Sequence, residues 1–99
     1  MTESRSHKVT SNRIANKYKT DYNTGKGVDI QKDNIAVEVE PPGTIKDGIR
    51  QLRGYKKPVY IAGTNQDAVE KALDATKGTT IGVMDNQGNI IKRSTRKKR

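Results

Sequence analysis

Val28-Asp29-Ile30-Gln31-Lys32-Asp33-Asn34-Ile35-Ala36-Val37-Glu38-Val39-Glu40 is the stretch that decides the fold. Residues 28–31 and 35–40 each alternate apolar with polar or small side chains, which is the period of a strand. With Asp33-Asn34 as a two-residue primed turn, Val28 faces Val39 and Ile30 faces Val37, giving one apolar face. Asp29 then faces Glu38, and Gly27 faces Glu40, so three carboxylates gather on the other face. A slip of one residue would set carboxylates against aliphatics, so the pattern selects this register.

Working outward, Pro41-Pro42-Gly43 stops the second strand, because proline has no ladder donor. Thr44 with Asp47 three residues on reads as a capping box for a helix running to about Tyr55. Ile45, Ile49 and Leu52 form its buried stripe, beside a basic stripe of Lys46, Arg50, Arg53 and Lys57. Pro58 precedes a buried strand, Val59 to Ala62. Gln66 to Thr76 is a helix stopped by Gly78. Thr79 to Met84 is a strand, Asp85 to Asn89 a turn, and Ile90 to Lys92 a short edge strand. Before the hairpin, Lys8 to about Lys19 reads as a weak amphipathic helix carrying Ile14, Ala15 and Tyr18, with Thr10 or Ser11 as its cap. The order α-β-β-α-β-α-β-β predicts an α/β fold, a mixed sheet flanked by helices. One domain over residues 8–93 is expected, between a flexible basic arm (1–7) and a basic tail (94–99).

Composition limits what such a domain can do. The 99 residues are 30% hydrophobic, with four Tyr and no Phe, Trp or Cys. Domains of this size bury roughly 60–65% of their unfolded surface and are marginal alone, so self-association is expected. The missing cysteines exclude disulfides, thiolate zinc sites and iron–sulfur clusters. Apolar runs are too short for a membrane span, and the expected setting is intracellular and cytoplasmic. The net charge of +9 is uneven. Residues 1–27 carry six Lys/Arg against two acids, residues 28–91 eight against nine, and residues 92–99 six against none. Basic ends on a near-neutral body suit contact with a polyanion, including the terminal run Arg96, Lys97, Lys98 and Arg99. Gly25-Lys26-Gly27 precedes a strand and lacks phosphate-loop spacing, so no nucleotide cofactor is expected.

Opposed strand residues have Cβ atoms about 4.5–5.5 Å apart, so Asp29 and Glu38 repel one another unless neutralised. A hard dication such as Mg²⁺ does this well, and could orient a scissile phosphate. A plain solvated strand face is the alternative reading of the spacing.

Gly27-Val28-Asp29-Ile30, then Ile35-Ala36-Val37-Glu38-Val39-Glu40, then Gln51-Leu52-Arg53-Gly54-Tyr55 together resemble the PD-(D/E)XK nuclease superfamily. Within it, the match is to the RecB-like and Holliday junction resolvase-like small nucleases. The resemblance covers roughly residues 8–63. It implies a restriction-endonuclease-like core, with Asp29 and Glu38 holding Mg²⁺ or Mn²⁺ and with Gln51 and Tyr55 facing the site. The family's usual lysine is replaced by Glu40, a candidate general base toward the attacking water. Lys26 is a candidate to supply the missing ammonium. The implied activity is a metal-dependent endodeoxyribonuclease, selective for branched DNA over sequence and acting as a homodimer. A catalytically silent DNA-binding or assembly module of the same fold is the alternative, and an RNA-binding protein with an incidental acidic face is a third reading. On the enzyme reading, Lys46, Arg50, Arg53, Lys57 and the terminal Arg96 to Arg99 hold the nucleic-acid backbone.

Overall fold

The computed structural model describes residues 5–20, 28–32 and 34–97. Its elements are α1 (Arg5–Lys17), β1 (Ile30–Lys32), β2 (Ile35–Glu40), a 3-10 turn (Pro42–Thr44), α2 (Ile45–Leu52), β3 (Val59–Gly63), α3 (Gln66–Ala75), β4 (Gly82–Met84) and β5 (Ile90–Lys92). One five-stranded mixed sheet has the order β1-β2-β3-β4-β5. Its outer pairs are antiparallel, whereas β2, β3 and β4 run parallel. Two right-handed crossovers in a sequential order place both connecting helices on one face. Accordingly α2 and α3 pack with Ala36, Val59, Ile61 and Val83. On the opposite face α1 packs with Ile30, Val37, Val39, Tyr60 and Met84. β3 and β4, covered on both sides, read as apolar runs for that reason, whereas β2 keeps its two glutamates.

The hairpin register is the one its alternation selects: Ile30 pairs with Val37 and Lys32 with Ile35. Of its turn, Asp33 lies outside the described residues. Two expected pairs, Val28 with Val39 and Asp29 with Glu38, are not part of the ladder, and Gly27, expected opposite Glu40, lies outside the described residues. Val28 leaves the ladder and joins the α2/α3 core, while Val39 faces α1. The Val28 N–H donates instead to the Tyr55 hydroxyl at 3.3 Å.

Four other boundaries differ from expectation. α1 begins at Arg5, so residues 5–7 belong to the body, not to a loose arm. No Gly or Pro interrupts the segment, and Thr10 and Ser11 are buried inside the helix, letting it approach the sheet closely. α2 ends at Leu52 rather than near Tyr55, with Arg53 as its cap and Gly54 beyond. No capping box opens it, because the Thr44 hydroxyl donates to Glu40 Oε2 instead. The segment from Ser94 to Arg96 is also no free tail. Ser94 Oγ donates to Thr80 O at 2.8 Å, and Arg96 Nη1 donates to Leu52 O at 2.7 Å and Tyr55 O at 3.0 Å. Carbonyls left open at the end of α2 attract a guanidinium more strongly than water holds it there. Among the described residues, no helix is long and apolar enough to cross a membrane.

Candidate functional site

Three carboxyl groups meet where β1 stops pairing with β2. β2 alternates, so Glu38 and Glu40 share the face covered by α2, with Glu38 beside Ile61 and Glu40 beside Gly63. Past Ile30 the β1 backbone leaves the ladder, and the Asp29 side chain takes over its role. Val39 N–H donates to Asp29 Oδ2 at 2.8 Å, and Asp29 N–H donates to Glu38 Oε1 at 3.1 Å. Each residue thus holds the other's neighbourhood in place. The charges of Asp29 and Glu40 both act on the Glu38 carboxyl.

Glu38 is only 9% exposed, so the solvated-face reading does not describe it. Burial, then the Asp29 charge and hydrogen bond, then the Glu40 charge push its pKa up to about 9, against the opposing Asp29 N–H. Glu40 is raised in the same direction, first by burial, with the Thr44 hydroxyl and Glu38 pulling it back. A carboxyl that binds its proton this firmly reports a cluster short of positive charge.

Two further residues complete the site, and neither stands out as functional in the sequence. His7, read from sequence as an arm residue, places Nε2 at 3.1 Å from Asp29 Oδ2, with 15% and 13% of the two side chains exposed. Gly48 of α2 packs on Glu40: a Cβ there would stand 2.6 Å from Glu40 Cγ and 2.9 Å from Ile61 Cδ1. An isolated glycine inside a helical pattern is the signal that could have identified it.

The remaining sequence candidates scatter. Gln51 is exposed on α2, while Tyr55 lies beyond the helix and packs against the core, so the two do not share a helical face. Lys26, Lys98 and Arg99 lie outside the described residues. Lys46, Arg50 and Arg53 are exposed. Lys57, past the helix, donates to Lys32 O at 2.7 Å. Lys97 is exposed, whereas Arg96 is spent on the α2 carbonyls. A groove of about 720 Å³ between α2 and α3 contains Lys46, Arg50 and Lys71, but also Asp47, Glu70 and Asp74, so its charges cancel.

Among the described residues, no three His, Cys, Asp or Glu side chains form a ready metal cage. The donor chemistry of Asp29 and Glu38 nevertheless fits a hard dication: adjacent carboxylate oxygens with like charge to offset. Comparison of the chain with protein-family models, curated proteins and solved structures finds no match in any of the three.

Proposed function

We propose that this chain is a metal-dependent endodeoxyribonuclease of the PD-(D/E)XK type, on a restriction-endonuclease-like core, acting inside the cell on branched DNA. The observation that carries this reading is the junction of Asp29 with Glu38 at the end of the hairpin ladder, with Glu40 two residues further on the same face. Asp29 and Glu38 would hold Mg²⁺ or Mn²⁺, which when bound supplies charge stabilisation to the phosphate and acidifies water. Glu40, raised by burial, accepts the proton of the attacking water. That water attacks phosphorus, one P–O bond breaks, and the departing oxygen takes up a proton. His7 holds the Asp29 carboxylate in place. Two copies related by a twofold axis would make paired cuts. The edge strand β5, with Ile91 half exposed, is an apolar surface open to such pairing.

The test is incubation with branched, duplex and single-stranded DNA in Mg²⁺ or Mn²⁺. Cleavage by wild type that disappears in Asp29→Ala and Glu38→Ala, with DNA binding intact, is the expected result. Absence of cleavage on every substrate, with no thermal shift on adding either metal, overturns it. That result would favour the silent binding module, which the Glu40-for-lysine replacement also suits.

A further inference from the structure

A second groove, of about 440 Å³, lies between α1 and the loops after β3 and β4, and includes Arg5, Arg13, Thr64 and Asn86. No acid lines it, in contrast to the charge-balanced groove between α2 and α3. α1 itself carries four Lys/Arg and no acid. Arg5, Val9 and Arg13 recur at every fourth residue, so they share one helical face. Eight residues of helix put the two guanidinium-bearing positions about 12 Å apart, roughly three to four steps of one DNA strand.

The groove reaches, from the α1 face, the same edge of the sheet as the acidic cluster, whose Glu38 and Glu40 side chains lie on the α2 face. Ser6 lines it, and the next residue, His7, touches Asp29. Thr64 lines it, and its N–H donates to Glu40 O at 3.2 Å. The groove opens at the carboxyl ends of the parallel strands, where open α/β sheets place their ligands.

We propose that the phosphodiester backbone of the DNA substrate runs along this α1 groove, with Arg5 and Arg13 contacting phosphates on the approach to Asp29, Glu38 and Glu40. The inference rests on the nuclease reading for its substrate but stands on binding alone. Arg13 already donates to Asn86 O at 3.0 Å, which holds its side chain along the groove wall.

The test measures binding of a labelled DNA junction in EDTA, so that no cleavage intervenes, across a salt series. Arg5→Gln/Arg13→Gln should weaken binding about tenfold or more and flatten the salt slope by about 2, one per lost phosphate contact. Arg13→Lys, which keeps the charge, should retain most of the affinity, separating phosphate contact from a folding defect. Lys46→Gln/Arg50→Gln on the neutral groove should change affinity less than about twofold. Wild-type affinity and slope in the Arg5/Arg13 double variant overturn the proposal, as does a larger loss from the Lys46/Arg50 pair. Should the double variant lose binding while wild type cuts no DNA in Mg²⁺ or Mn²⁺, the groove stands and the nuclease reading falls. Wild type that binds no DNA overturns both.

Discussion

Gly48 lies against the stem of Glu40 so closely that a single added carbon would stand 2.6 Å from Glu40 Cγ. A glycine inside an exposed helix costs about 1 kcal/mol relative to alanine, so its presence here sacrifices helix stability for access to the sheet. The access goes to a carboxyl group, which ties α2 to the site.

Gly48→Ala should therefore gain helix propensity and lose packing, the overpacking cost of about 1–3 kcal/mol outweighing the gain. Net destabilisation of about 1 kcal/mol is expected by denaturant titration. Adding Glu40→Ala should relieve it, since the two residues share one space. A Gly48→Ala protein as stable as wild type would mean that α2 stands further from β2 than described.

Glu38 gives the chain a pH dependence of stability. Its folded pKa is raised from 4.5 to about 9, so between those values the folded state keeps a proton that the unfolded state releases. The native state then binds more protons, and stability must fall as pH rises. The contribution is fully present below 4.5 and lost as pH climbs toward about 9. Asp29, Glu40 and His7 face the same cluster, so the useful measurement is the difference between wild type and Glu38→Gln. Melting temperatures at pH 5 to 9 should fall for wild type and stay flatter in the variant. Millimolar Mg²⁺ should reduce the wild-type slope, because a cation favours the ionised form. Parallel curves would show that Glu38 ionises normally.

The hairpin was legible because period-two alternation and the penalty for opposing carboxylates to aliphatics both favour one register, and Ile30 opposite Val37 follows. α3 was legible because Ala68, Val69 and Ala72 keep one face and Gly78 follows its end; the structure adds an Asn65 cap, its Oδ1 accepting from Ala68 N–H at 2.9 Å. The burial of Glu38 was not, since alternation reports which face a side chain takes but not whether a helix will cover that face. His7 gave no local pattern at all; its partner is 22 residues away in the chain. Thr44 looked like a helix cap because Ser and Thr signals are local, whereas its hydroxyl donates to the half-buried Glu40 carboxyl and caps no helix N–H.

Tyr55 separates two roles. The resemblance to nucleases implies that it holds substrate or orients a carboxylate; its hydroxyl accepts from Val28 N–H at 3.3 Å, one residue before Asp29. Tyr55→Phe removes that acceptor and should lower stability by about 0.5–1.5 kcal/mol. If the chain is the nuclease proposed above, DNA affinity in EDTA should remain that of wild type, while cleavage falls through the loosened Asp29 segment. A loss of affinity with unchanged melting temperature would return Tyr55 to direct contact with substrate.

Arg96 distinguishes a packed strap from a solvated tail. A run of basic residues at a chain end ordinarily reads as charge in water, and Lys97, exposed, fits that description. Arg96 does not: its guanidinium reaches Leu52 O and Tyr55 O at the close of α2, and Nε reaches Thr80 Oγ1 at 3.0 Å. Three hydrogen bonds from one cation join the end of α2 to the loop before β4. Hydrogen bonds to charged groups contribute about 1.5–3 kcal/mol when they replace open carbonyls. Partial exposure of Arg96 keeps the expected loss in Arg96→Ala near the bottom of that range, a drop of roughly 10 °C in Tm for a domain of this size. Arg96→Lys should recover little, because an ammonium cannot reproduce the planar fork that spans both carbonyls and the threonine. Lys97→Ala should leave Tm unchanged. Equal melting temperatures for Arg96→Ala and Lys97→Ala would show that the whole terminal run is solvated, and would leave Leu52 and Tyr55 carbonyls to water.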